Sequence, residues 1–172
     1  EAGAMISASH NPFYDNGIKM FSKEGIKLSA DIEALIEDFI DGISDIPYKT
    51  NDEIGRIIRY EKGMDDYLNW LKKEFPLDLH GTVLALDCAN GSSSYTAERL
   101  LTALGAECIM SNSTPDGVNI NTQCGSTHPE HLQAMVKEHS CDLGLAFDGD
   151  ADRLIAVDPD GSLVTGDDML YI

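Results

Sequence analysis

The chain has 172 residues, and its 30 Asp and Glu residues outnumber its 12 Lys and Arg residues, which gives a formal net charge of −18. Binding to the phosphates of nucleic acid requires clustered Lys and Arg, so this balance argues against DNA, RNA and anionic membranes as partners. A hydrophobic share of 42% is ordinary for a folded protein and too high for a disordered acidic tail.

The N-terminal third of the chain alternates short apolar segments with turn signals. An Asn-Pro pair and an Asn-Gly pair mark residues 7–17 as a loop, and apolar residues at helical spacing after Ser29 predict an amphipathic helix that ends at Gly42. Strands are predicted at residues 4–6, 18–21 and 55–60. A domain junction is expected near residue 60.

From residue 64 onward, helical and strand patterns alternate along the chain. Helices are predicted at residues 64–71, 94–104 and 129–138, and strands at 82–87, 106–110, 142–147 and 155–157. Trp70 lies on the apolar side of the first helix and is expected in the core. This alternation is typical of an α/β fold, and we expect a mixed, largely parallel sheet.

The four cysteines indicate reduced thiols in a cytoplasmic protein. They are Cys88, Cys108, Cys124 and Cys141, and no two of them form the close pair that zinc sites usually contain. No apolar run approaches the roughly 18 residues of a membrane span, and no segment resembles a signal peptide. Because the chain begins without Met and ends inside an apolar segment, we expect a fragment of a longer protein.

Three aspartates at alternate positions, Asp148, Asp150 and Asp152, directly follow a predicted buried strand. Carboxylate oxygens suit Mg²⁺ or Ca²⁺, and the carboxyl end of a strand is where α/β folds place ligands. The EF-hand pattern does not fit, because Arg153 stands where that loop requires Gly. We predict a hard-cation site completed by water or a phosphate oxygen; a solvated acidic turn is the alternative.

A second candidate is the polar segment Ser7–Pro12, which is followed by Lys19. Its Ser and His, with the lysine, would supply a hydroxyl nucleophile, a proton carrier and a cation. Taken alone, the same residues are more typical of turn chemistry. A third candidate is Asn90–Ser94, between a strand and a helix, where helix capping is favoured over phosphate binding.

The segment around Ser7–Pro12 and the segment with the three aspartates together resemble two motifs of the α-D-phosphohexomutase superfamily. MISASHNPFYDNGIK at residues 5–19 is similar to the phosphoserine loop of these enzymes, and DGDADR at residues 148–153 is similar to their magnesium loop. Within the superfamily, NIN at 119–121 and CGSTH at 124–128 resemble the phosphoglucosamine mutases of bacteria. The resemblance extends over nearly the whole chain.

The resemblance implies a role for each matching residue. Ser9 would carry the transferable phosphoryl group, Asp148, Asp150 and Asp152 would bind Mg²⁺, and a phosphate oxygen on Ser9 would complete the shell of the metal. His10 and Lys19 would position the phosphate and transfer protons. Arg153 would lie beside the phosphoryl group.

The resemblance also implies a domain organisation and a reaction. Three-layer α/β/α domains are expected: the C-terminal part of domain 1 at residues 1–60, domain 2 at 61–163 and the start of domain 3 at 164–172. The complete enzyme would interconvert glucosamine 6-phosphate and glucosamine 1-phosphate through a 1,6-bisphosphate of glucosamine or glucose, for UDP-N-acetylglucosamine and cell-wall synthesis. The isolated fragment would be inactive.

Three points stay open at this level. A phosphomannomutase or phosphoglucomutase would use the same chemistry on another sugar. A Mg²⁺- or Ca²⁺-binding module without catalysis would use the aspartates alone, with Ser9 as a turn residue. A homo-oligomer is compatible with the sequence.

Overall fold

The computed structural model describes residues 2–171, which divide into two compact units. The first unit comprises the chain up to Ile6 together with Ile18–Glu61, and the second comprises Ser7–Gly17 together with the chain from Lys62 onward. The polar loop that contains Ser9 therefore belongs to the second unit.

The first unit is built on two strands and one helix. Strands β1 (Ala2–Ser7) and β2 (Gly17–Ser22) form a two-stranded sheet, and helix α1 spans Ala30–Ile40. The helix ends as predicted, because Gly42 adopts the left-handed conformation with φ 71° that glycine favours.

The prediction of a strand at residues 55–60 is wrong, since this segment is irregular. Its apolar residues are in solvent, with Ile57 97% exposed. A strand is stabilised by a hydrogen-bonded neighbour, and none of the strands within residues 2–171 pairs with this segment.

The second unit contains a five-stranded sheet in the order β4-β3-β5-β6-β7. Strands β4, β3 and β5 are parallel, and β6 and β7 continue the sheet in antiparallel pairing. The strands are β3 (Val83–Asp87), β4 (Glu107–Ser111), β5 (Leu143–Phe147), β6 (Leu154–Val157) and β7 (Leu163–Val164), and the helices are α2 (Gly63–Glu74), α3 (Ala97–Ala103), α4 (Glu130–His139) and α5 (Gly166–Tyr171). The predicted α/β class with a mixed sheet is confirmed.

Helices cover both faces of this sheet because successive strand residues point to opposite sides. Ala85 of β3 packs with Leu132 and Val136 of α4 on one face. Its neighbour Leu86 packs with Ala97 of α3 on the other face. The result is the three-layer α/β/α arrangement.

Two local predictions for this unit need correction. The predicted helix at 94–104 begins only at Ala97, because Ser92–Tyr95 form a 3₁₀ turn. Trp70 is 53% exposed and stacks on Tyr67 instead of entering the core. Trp70 lies on α2, and Leu68 is the buried residue of this helix. The buried face of α2 is therefore narrower than the number of apolar residues in the helix predicts.

The sheet order decides which loops meet. Since β3 and β5 are parallel neighbours, their carboxyl ends lie at the same edge of the sheet. The loops that follow Asp87 and Phe147 therefore emerge side by side. Between residues 2 and 171, no helix combines the length and the apolar character that crossing a membrane requires.

Candidate functional site

The three aspartates after β5 form one cluster. One carboxylate oxygen from each of Asp148, Asp150 and Asp152 lies within 4.8 Å of the others. The loop turns tightly at Ala151, whose backbone N–H donates to the Asp148 carbonyl at 3.0 Å. Three carboxylates at this separation repel one another unless a cation lies among them.

Asp148 is the buried member of the cluster. Its side chain is 1% exposed, and burial, together with the charges of Asp150 and Asp152, raises the pKa of its carboxyl. Its Oδ1 accepts a hydrogen bond from the Arg153 backbone N–H at 3.2 Å. Its Oδ2 has no hydrogen-bond partner among the described residues, and the Arg153 Nε lies 4.0 Å away.

These observations fit a hard divalent cation. The donor set consists of carboxylate oxygens, and the buried Asp148 Oδ2 has no hydrogen-bond partner among the described residues. Mg²⁺ prefers such ligands and keeps water or phosphate oxygens in its remaining positions. The cluster is therefore a candidate magnesium site.

The loop that contains Ser9 is held by its own backbone and side chains. Ser9 lies in the left-handed region with φ 52°, and its N–H donates to the Ser7 Oγ at 2.8 Å. The Asn11 N–H donates to the carbonyl of Ala8, which is buried at 3% exposure. A serine with positive φ is uncommon, so its conformation depends on these contacts.

Gly149 and Asn121 bring this loop against the aspartate loop, and Gly91 lets the Asn90–Ser94 segment approach the same loop. The Asn121 amide donates to the carbonyls of Ser9 and Asn11, each at 2.8 Å. A Cβ on Gly149 would collide with the Ser9 carbonyl oxygen, and a Cβ on Gly91 would collide with the Gly149 carbonyl. The backbone beside Ser9 therefore touches the residue between Asp148 and Asp150.

Replacing Gly149 by Ala is expected to destabilise this contact by about 1–3 kcal/mol, because the new methyl group meets backbone that cannot yield easily. The thermal unfolding temperature of the full-length protein should fall accordingly. Gly166→Ala is the matched control, since no atom beyond its chain neighbours and its own helix backbone lies within 4 Å of the added Cβ there. Equal unfolding temperatures for the two variants would contradict this packing.

The remaining predicted residues lie in different places. Arg153 is beside the aspartates, with its Nε 4.0 Å from both Asp148 and Asp152. His10 is exposed and lines a cleft of about 640 Å³ in the second unit, with His128 also in its wall. Lys19 is exposed on β2 and belongs to the first unit. The roles assigned to these residues stay predictions.

The third candidate, Asn90–Ser94, does not provide the helix cap that the sequence favoured. No side chain caps the turn that begins at Ser92; instead, Ser93 Oγ donates to the Cys88 carbonyl at 3.2 Å. The Ser92 N–H donates to the Gly149 carbonyl at 2.9 Å, so this amide is used inside the protein. The segment supports the aspartate loop.

The cysteines do not contribute a metal site. Among residues 2–171, the aspartate cluster is the one group of potential ligands close enough to hold an ion. All four thiols are free, and burial raises the pKa of Cys88 to about 11. A thiol with this pKa stays protonated and inert at neutral pH.

Sequence reasoning missed the contributions of Asn121 and Gly149. Neither residue lies in a periodic element, and the contact between Asn121 and Ser9 spans 112 residues. The one available signal for Asn121 was the family resemblance at residues 119–121, and that resemblance assigned no role to the residue. Gly149 was visible only as the spacer between two aspartates.

Known proteins provide an independent comparison. Residues 65–161 match the family model described as phosphoglucomutase/phosphomannomutase, alpha/beta/alpha domain II, and residues 1–46 match the model for domain I. A curated relative, the phosphoglucosamine mutase of Clostridium novyi, is 49% identical over the whole chain. The chain spans 38% of the length of that relative.

Solved structures show the same fold. A phosphoglucomutase/phosphomannomutase family protein from Burkholderia thailandensis aligns with 96% of this chain and 35% of its own, at a TM-score of 0.75 and 30% identity. The N-acetylphosphoglucosamine mutase of Aspergillus fumigatus, solved in complex with GlcNAc-6P and magnesium, aligns with 95% of this chain and 45% of its own, at a TM-score of 0.60 and 19% identity. Since the domain II model alone accounts for more than half of the residues, the chain belongs to the phosphoglucomutase/phosphomannomutase family.

Proposed function

We propose that the full-length protein is a phosphoglucosamine mutase, which interconverts glucosamine 6-phosphate and glucosamine 1-phosphate. The observation that carries this proposal is the packing of the Ser9 backbone against Gly149, inside the aspartate loop. A hydroxyl nucleophile beside a hard-cation site is the arrangement that phosphoryl transfer requires. The name of the curated relative that matches the whole chain supports the choice of sugar.

In this proposal, Ser9 carries the transferable phosphoryl group. A phosphoserine brings about −1.5 to −2 units of charge, and three carboxylates already lie nearby. Asp148, Asp150 and Asp152 would hold Mg²⁺, which supplies neutralisation of charge on the phosphoryl oxygens when it is bound. Magnesium in the related Aspergillus fumigatus enzyme supports this choice of ion.

The reaction then runs in two transfers. In the first, the bond between Ser9 Oγ and phosphorus breaks while the sugar O1 bonds to phosphorus, and the proton of the sugar hydroxyl passes by way of His10 to Ser9 Oγ. The product is glucosamine 1,6-bisphosphate. In the second transfer, the phosphoryl group on O6 moves to Ser9 Oγ, and the proton of the Ser9 hydroxyl passes to O6. Arg153, whose Nε lies 4.0 Å from carboxylate oxygens of Asp148 and Asp152, would offset charge beside the aspartates.

The domain assignment follows the same proposal. Residues 1–60 would be the C-terminal part of domain 1, residues 61–163 domain 2 and residues 164–172 the start of domain 3. The four free thiols are typical of a reducing compartment, and we place the enzyme in the cytoplasm. Its substrate would be a phosphorylated hexosamine.

Turnover of three sugars by the full-length protein tests this function. We expect kcat/KM for glucosamine 6-phosphate to exceed the values for glucose 6-phosphate and mannose 6-phosphate by at least about tenfold, because a site that hydrogen-bonds an amino group rejects sugars without it. A preference for glucose or mannose would assign another mutase of this family. Turnover of none of the three, in the presence of Mg²⁺ and a hexose 1,6-bisphosphate, would support a non-catalytic cation-binding module.

A further inference from the structure

The side-chain amide of Asn121 joins two segments that are far apart in the chain. Its Nδ2 donates to the carbonyls of Ser9 and Asn11, both at 2.8 Å. We infer that Asn121 is a positioning residue that holds the Ser9 loop against the aspartate loop. The effect of Asn121 on turnover rests on the proposed function, whereas its effect on the position of the Ser9 loop does not.

Asn121 is itself held firmly in place. It lies in the left-handed region with φ 56°, and its backbone N–H donates to the Ala89 carbonyl at 2.9 Å. The preceding loop is closed by Asn119, whose Nδ2 donates to the Thr114 carbonyl at 3.0 Å. Asn90 accepts the Thr114 N–H at 3.1 Å, which ties this loop to the end of β3. The amide group therefore extends from a fixed support.

Asn121 also contacts the aspartate loop. A Cβ built on Gly149 would lie 2.8 Å from the Asn121 Nδ2 and would collide with the Ser9 carbonyl oxygen. The three residues therefore meet at one point. Any shift of the Asn121 amide changes the spacing between the Ser9 backbone and the loop that carries Asp148 and Asp150.

The side chain at position 121 must be a hydrogen-bond donor to make this contact. Both amide hydrogens are used, and both partners are carbonyl oxygens, which can only accept. Aspartate has nearly the same size as asparagine and also tolerates the left-handed region. Asn121→Asp thus keeps the shape and backbone preference, removes both donors and places a carboxylate against two carbonyl oxygens.

The consequence for catalysis follows from geometry. A displacement of about 1 Å at a reacting group costs up to about 10²-fold in rate. We expect Asn121→Asp to lower kcat by about 10- to 10²-fold and to change KM for the sugar phosphate by less than about threefold, since no substrate contact is assigned to Asn121. Amide hydrogen exchange in residues 8–12 should become faster.

The test measures kcat, KM, thermal unfolding and hydrogen exchange for the full-length protein. Asn51→Asp is the matched control, because Asn51 is an exposed asparagine with φ 55° and the change in charge is the same. The inference is supported if Asn121→Asp alone speeds exchange at residues 8–12 and lowers kcat. It is overturned if exchange there is unchanged, or if exchange rises while kcat stays at the wild-type value.

A second variant at position 121 tests the inference if Asn121→Asp does not fold. Asn121→Gly removes both donors without adding charge and tolerates the left-handed conformation, and the same pair of changes is expected at a smaller size. If the wild-type protein turns over no hexose phosphate, the proposed function fails separately. In that case hydrogen exchange alone decides whether Asn121 holds the loop, and wild-type protection in both variants would overturn the inference.

Discussion

Replacement of Asp148 by Asn is expected to weaken Mg²⁺ binding by at least about 10²-fold and to lower turnover of the full-length protein by a comparable factor. The variant removes one of three clustered charges while it keeps the shape of the side chain. Asp148 Oδ2 is a buried carboxylate oxygen with no hydrogen bond among the described residues. An amide at this position is a far weaker ligand for a hard cation.

The same change is expected to have the opposite effect on the metal-free protein. Burial and the neighbouring carboxylates raise the pKa of Asp148, so its negative charge opposes folding at neutral pH when no cation is bound. Because the folded pKa lies above the unfolded one, this penalty is present at neutral pH and is relieved as the pH falls through the raised pKa. Without Mg²⁺, Asp148→Asn should unfold at the same temperature as wild type or higher.

Thermal unfolding at increasing Mg²⁺ concentration measures both effects. A ligand present at 100 times its Kd stabilises the folded state by about 2.7 kcal/mol, and this stabilisation should be lost in Asp148→Asn. Asp160→Asn is the matched control, since it makes the same change at an exposed turn position outside the cluster. A normal Mg²⁺-dependent shift in Asp148→Asn would remove the aspartate cluster as the metal site.

Ser9→Ala is expected to reduce turnover by about 10³-fold or more, because loss of a nucleophile removes the covalent route and leaves only binding and electrostatic effects. The metal site should survive, since the aspartates are unchanged. The variant should therefore keep the Mg²⁺-dependent thermal shift that Asp148→Asn loses. The two variants together separate phosphoryl transfer from metal binding.

Ser29→Ala provides the control for this variant. Ser29 precedes α1, its side chain makes no capping hydrogen bond, and the same hydroxyl group is removed. Turnover of Ser29→Ala should equal that of wild type. Full activity of Ser9→Ala would show that this serine is only a turn residue, as the non-catalytic alternative requires.

The sequence predicted the elements whose pattern is strong and local. Helix α4 and strands β3 and β5 appeared close to their predicted positions, because their apolar spacing matches the faces that are buried. The sequence also predicted that ligands bind at the loop after β5, since α/β folds place ligands at the carboxyl ends of parallel strands. The predicted strand at 55–60 failed because strand formation depends on a partner that the local pattern does not specify.

The site was predictable in its residue types and not in its contacts. Alternate aspartates indicate a cation without any knowledge of the fold. The approach of Ser9 to Gly149 depends on a glycine that leaves space and on an asparagine 112 residues further along the chain. Such contacts arise from tertiary packing and leave no periodic trace in the sequence.

Peptide mass analysis of the full-length protein, after incubation with a hexose 1,6-bisphosphate and Mg²⁺, tests the central claim most directly. The account predicts one phosphoryl group on Ser9, with Ser7 unmodified, and replacement of that group by an ¹⁸O-labelled one when glucosamine 6-phosphate with ¹⁸O in its phosphate is added. A protein that converts the sugar phosphate while Ser9 stays unphosphorylated throughout would contradict the account.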